Sequence, residues 1–137
     1  MMKAFSILTI CFLVIVTSAA QDSCLGEHDQ AKVNDQAAMQ HQLEECGRKC
    51  WGQSACTSKC MVQNADLTAD CAACFGTEVQ CTATYCAKQC MFHADSEACT
   101  GCSMAHCGNA FEQCTGLKIG ITSSTTIHLR DEIVQIA

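Results

Sequence analysis

The chain has no proline, one tryptophan and one tyrosine, and aromatic residues make up 5% of its 137 positions. It carries eight lysines and arginines against fourteen aspartates and glutamates, a formal net charge of -6. Each shortage excludes something. The acid excess argues against nucleic-acid binding, which needs a basic footprint. Without proline there is no cis-proline of the kind that flanks a thioredoxin-type redox site, and no alternation of strands with helices to build one. In the cysteine-rich region Leu43, Phe75, Val79, Tyr85, Met91, Phe92, Met104 and Phe111 read as nearly the whole supply of large core residues, which leaves thin helices too little buried surface to stand alone. No Asn-x-Ser/Thr glycosylation sequon occurs, since Asn34, Asn64 and Asn109 lack the third residue. The leading apolar run is shorter than the ~20 residues of a membrane-spanning helix.

That run has another reading. Lys3 gives a positive start, Ile7 to Val16 is apolar, and Ser18-Ala19-Ala20 is a small-residue cleavage site, which together predict a signal peptide over 1–20. Its removal takes Lys3, moving the charge from -6 to -7, and takes Cys11, leaving fourteen of fifteen cysteines. Fourteen in 117 residues is about 12%, above the ~8–10% that marks a disulfide scaffold. An even count in an exported chain suits seven disulfides and an oxidising, extracellular compartment.

What remains is helical in pattern. Gln21 to Gln30 reads as an extended lead-in tied down by Cys24. From about Asp29, Met39, Leu43, Cys46 and Cys50 make one helical stripe. Gly47 and Gly52 weaken that helix by ~1 kcal/mol each, and a break near Gly52 is the alternative to one long helix ending near Asn64. Thr68 is a fitting N-cap for a second helix running to about His93, and Ser96 for a third that stops at Gly116. Cys71, Cys74 and Cys86 map onto Cys99, Cys102 and Cys114 with a constant offset of 28 residues, the mark of stacked helical units. The expectation is an all-α, disulfide-rich array of antiparallel helices, a helical-hairpin repeat with about three long helices. The repeat domain covers 21–117, and 118–137, with its Ser/Thr-rich ITSSTTI stretch, reads as a flexible tail.

In an antiparallel hairpin, facing residues have a nearly constant sum of positions. Cys60–Cys71, Cys56–Cys74 and Cys50–Cys81 sum to 130 or 131, and Cys90–Cys99 and Cys86–Cys102 to 189 and 188. Cys81–Cys107 also sums to 188. A helical wheel at ~100° per residue puts Cys81 on the face of Cys71 and Cys74, away from Cys86 and Cys90, and favours Cys50–Cys81. Cys107 and Cys114 lie ~10 Å apart along one helix, too far to bridge each other. They are left for Cys24 and Cys46.

Two chemical readings compete with a purely structural one. Cys71-Ala-Ala-Cys74 and Cys99-Thr-Gly-Cys102 each begin near a helix N-terminus, where a thiol pKa falls, so a thiol–disulfide oxidoreductase is the rival class. The same two CxxC motifs could form a four-thiolate zinc site if reduced. His28, His41, His93 and His106 are scattered and read as surface residues, no nucleophile motif is present, and Trp51 reads as packing, with a binding anchor as the alternative. The CxxxC pairs, Cys56-TSK-Cys60 and Cys86-AKQ-Cys90, resemble the device that staples plant α-hairpinins and twin-CxxxC mitochondrial chaperones. Those families have two CxxxC motifs and one hairpin, whereas here CxxxC meets CxxC. The small acidic disulfide-rich pheromones of ciliates are similar in kind but not in spacing. These resemblances carry over no functional residue. The expectation is a secreted, non-enzymatic protein with no cofactor or metal, acting by binding an extracellular protein or cell-surface partner: a diffusible signal, a defence or toxin-like peptide, or an extracellular structural component.

Overall fold

Short breaking signals divide the chain more finely than its periodicity suggests. A computed structural model describes residues 21–119, and the predicted signal peptide lies outside them, as does most of the predicted tail. Among the described residues there are seven α-helices and no strand: α1 (Glu27–Val33), α2 (Gln36–Lys49), α3 (Ser54–Ala65), α4 (Ala69–Tyr85), α5 (Ala87–Cys90), α6 (Glu97–His106) and α7 (Gly108–Thr115). The fold is all-α and disulfide-rich, as expected.

Each of the three long helices expected is broken. The lead-in is already helical from Glu27, and Asp35 then ends α1 and caps α2, its carboxylate accepting from the Ala38 amide at 3.1 Å. The decisive break is at Trp51-Gly52, where both residues are left-handed, with φ of 53° and 75°. The Trp51 amide donates to the Arg48 carbonyl and the Gly52 amide to that of Gly47, a Schellman closure of the helix end. Gly52 has a second reason to be glycine. A Cβ there would stand 2.6 Å from the Cβ of Ala83 on α4. The second helix bends at Cys86 and the third at Cys107, whose φ values of -121° and -118° leave the helical range.

The break at Gly52 makes α2–α3 a hairpin of its own. Cys46–Cys60 and Cys50–Cys56 close it, both pairs summing to 106. A second hairpin sets α4–α5 against α6–α7, closed by Cys74–Cys114, Cys81–Cys107, Cys86–Cys102 and Cys90–Cys99, with sums of 188 or 189. Cys24–Cys71 ties the lead-in to α4. Of the expected bridges, Cys86–Cys102 and Cys90–Cys99 are present. Cys60–Cys71, Cys56–Cys74 and Cys50–Cys81 are not, and neither Cys24 nor Cys46 reaches Cys107 or Cys114. The cause is the turn at Gly52, which lets Cys46 and Cys50 pair within the first hairpin and frees Cys74 and Cys81 for the second. The 28-residue offset does not extend to the bridges: Cys71 pairs with Cys24, but its counterpart Cys99 pairs with Cys90.

α4 holds the two hairpins together. Gly76 lets α4 approach α3 closely, since a Cβ there would lie 2.5 Å from the Ser54 carbonyl oxygen and 2.1 Å from Ser58 Oγ. Its N-terminus is capped from a distance. Buried Asp29, on α1, accepts the Thr68 amide at 2.8 Å and the Thr68 hydroxyl. At the same end, the Ser23 and Cys24 amides donate to the Cys114 and Thr115 carbonyls that close α7. As expected, Ser96 caps α6, accepting from Cys99 N, and α7 stops at left-handed Gly116.

Sulfur fills much of the interior. Nine of the fifteen buried apolar residues are cysteines, beside Met39, Met61, Leu67 and Phe75. Phe75 and Phe111 meet edge to face at 5.1 Å. Three residues expected in the core are exposed instead: Tyr85, Met91 and Phe92. Met91 and Phe92 sit where the second hairpin turns, and Tyr85 ends α4.

Candidate ligand groove

The two hairpins meet along α4 and leave a groove between them of about 750 Å³. Its walls are apolar: Leu43 from α2, Val79 and Ala83 from α4, Ala87 from α5, Met91 beyond it, and Met104 from α6. The arrangement follows from local causes. The break at Cys86 turns α5 away from the line of α4, and Gly47 and Gly52 let the end of α2 come close to Val79 and Ala83 of α4 along the groove.

One acidic side chain, Glu78, lines this apolar surface from α4. Its Oε1 accepts a hydrogen bond from the Ser103 hydroxyl on α6, and the Thr82 hydroxyl lies 3.3 Å from the same oxygen and 2.9 Å from Ser103 Oγ. Burial is the main influence on its ionisation and raises its pKa above the ordinary value, while the hydrogen bonds from Ser103 and Thr82 pull the other way. Glu44 and Arg48, from α2, also line the groove and pair with each other. Glu78 forms no ion pair among the described residues.

Trp51 stands at the groove with 90% of its surface exposed, in a left-handed conformation that is a clear outlier for so large a side chain. The sequence suggests a packing role for it. The structure corrects this, because the turn it occupies faces outward at the end of the first hairpin.

The fourteen cysteines that follow residue 20 all lie in disulfides: Cys24, Cys46, Cys50, Cys56, Cys60, Cys71, Cys74, Cys81, Cys86, Cys90, Cys99, Cys102, Cys107 and Cys114. Neither CxxC motif is internally bridged. Each sends its two sulfurs to different partners. Among the described residues no group of three or more His, Cys, Asp or Glu is placed to hold a metal, and no helix is long and apolar enough to cross a membrane. The histidines have local roles. His106 stacks on Tyr85 with ring centres 5.4 Å apart, and His28 Nε2 lies 2.7 Å from the Asp66 carbonyl oxygen. Lys32, 3.1 Å from the Asp66 carboxylate, holds its pKa below the ordinary value through a hydrogen bond and its charge.

Reading the sequence missed Glu78, Thr82 and Ser103. The i, i+4 pair Glu78–Thr82 was a visible signal, but nothing in the sequence marked Ser103 as its neighbour. Comparison with protein-family models, with curated proteins and with solved structures finds no match in any of the three.

Proposed function

We propose that this is a secreted, non-enzymatic binding protein whose stapled helices hold a preformed groove. The observation that carries the reading is the pairing of the two CxxC motifs, whose four cysteines lie in four separate bridges rather than two internal ones. An oxidoreductase needs a CxxC pair that opens and closes within itself, and a zinc site needs free thiolates. Neither fits sulfurs already committed to long-range bridges. Seven disulfides suit an oxidising compartment, which supports secretion. A groove fixed by bridges on both walls loses little freedom when occupied, which suits recognition. Its partner is extracellular or at a cell surface, and the protein serves as a signal, a defence peptide or part of an extracellular layer.

Free-thiol titration of the native protein tests this. No reactive thiol, before or after mild reductant, is the expected result. One labile CxxC pair with a high reduction potential would favour the redox enzyme instead.

A further inference from the structure

We propose that the groove binds a small hydrophobic ammonium ion, with its nitrogen at Glu78 and its apolar body along the walls between α2 and α6. The inference rests on the binding reading above and names the ligand class.

Size and lining set the first limits. A groove of about 750 Å³ lies within the ~300–1,000 Å³ range of small-molecule sites, and apolar walls with a single polar anchor are the usual composition of such sites. Charge sets the next. Of the three charged residues lining the groove, Glu44 and Arg48 neutralise each other, and α5 and α6 contribute none. Glu78 is left as the one unmatched charge, half-buried in a groove that Val79, Ala83 and Met104 also line.

The hydrogen bonds leave room for a ligand. Ser103 and Thr82 both address Oε1, and Oε2 has no donor among the described residues. An anionic ligand would be repelled there, and a neutral one would leave the carboxylate without a counter-charge in apolar surroundings. A protonated amine supplies both a donor and the missing charge. Trp51 adds a second element, since an indole face beside the same groove attracts a cation as well as an alkyl chain.

Three probes of equal chain length test the proposal on the oxidised protein: n-decylammonium and decanoate, titrated below their micelle concentrations, and n-decanol, titrated below its solubility limit. Trp51 is the only tryptophan, so its fluorescence reports occupancy directly, with calorimetry as the second readout. n-Decylammonium is expected to bind saturably, at least ~10-fold tighter than n-decanol, with decanoate weakest, as pairing a half-buried charge requires. Glu78→Gln should reduce ammonium affinity about 10-fold and leave n-decanol unchanged, while circular dichroism verifies the fold. Ammonium affinity should also fall as pH is lowered through the raised Glu78 pKa, because the protonated carboxyl no longer carries charge. If n-decanol binds as tightly as the amine, or Glu78→Gln leaves the amine unaffected, the ammonium assignment fails and the groove reading stands. Saturable binding of a Lys/Leu amphipathic peptide without binding of n-decylammonium would assign the groove to a protein partner and overturn the proposal. No saturable binding of any probe would remove both readings.

Discussion

The hairpin α2–α3 and the hairpin of α4–α5 with α6–α7 are both antiparallel and both closed by nested bridges, yet different materials fill them. The first packs. α3 buries Thr57, Cys60 and Met61, and Gly76 brings α4 against its backbone. The second is mostly stapled. α6 buries only Cys99, α7 only Gly108 and Thr115, and four disulfides span the pair. Where α4 closes on α3 at Gly76, no bridge joins the two among the described residues. Where side chains are thin, sulfur takes over the role of a core.

Removing bridges should sharpen that contrast most. Cys74 and Cys114 are each seven residues beyond the next bridge, Cys81–Cys107. Opening Cys74–Cys114 by a double alanine substitution therefore releases a loop of roughly fifteen residues, worth about 3 kcal/mol in the chain-entropy model. The same change at Cys50–Cys56, separated by six residues, should cost about 2 kcal/mol. Chemical denaturation of the two variants checks the order, and equal losses would mean that the second hairpin packs better than its buried residues indicate.

Gly76→Ala probes the packed side. The added methyl meets the Ser54 carbonyl, a backbone atom that cannot swing away, so a loss of ~1–3 kcal/mol is expected from overpacking. A neutral result in thermal unfolding would show that α3 and α4 can separate freely, contrary to their close approach.

The smallest effect belongs to Thr57, whose fully buried hydroxyl has no hydrogen-bond partner among the described residues. Thr57→Val keeps the shape and removes the unpaired group. A gain of about 1 kcal/mol is expected in the same unfolding assay, because a buried polar atom without a partner is costly.

Much of this could be read from the residues, and the failures have physical causes. The rule that facing cysteines share a sum was sound: four bridges lie on 188 or 189, and two more on 106. What could not be seen was where the first hairpin turns. Gly47 and Gly52 marked a weak point, but a left-handed tryptophan beside Gly52 runs against residue preference, and the internal repeat favoured one continuous helix. The helical wheel assumed an unbroken helix through Phe92, and the bend at Cys86 breaks that assumption. The α3–α4 pair was anticipated in its antiparallel sense, but glycine and serine line its contact instead of disulfides. The groove was hidden for a related reason. Its residues come from four segments, and only correct placement of the turn at Trp51-Gly52 brings α2 beside Glu78.

The hydrogen bonds from Ser23 and Cys24 to the last carbonyls of α7 bring the entry and exit of the described chain side by side. Both lie at the start of α4, and the groove lies towards its far end, roughly 14–21 Å of helix away. A domain with adjacent ends can be inserted into another protein's loop, circularly permuted or tethered in tandem with short joints. Here each such fusion would hold the domain by the end remote from its groove, leaving the groove outermost.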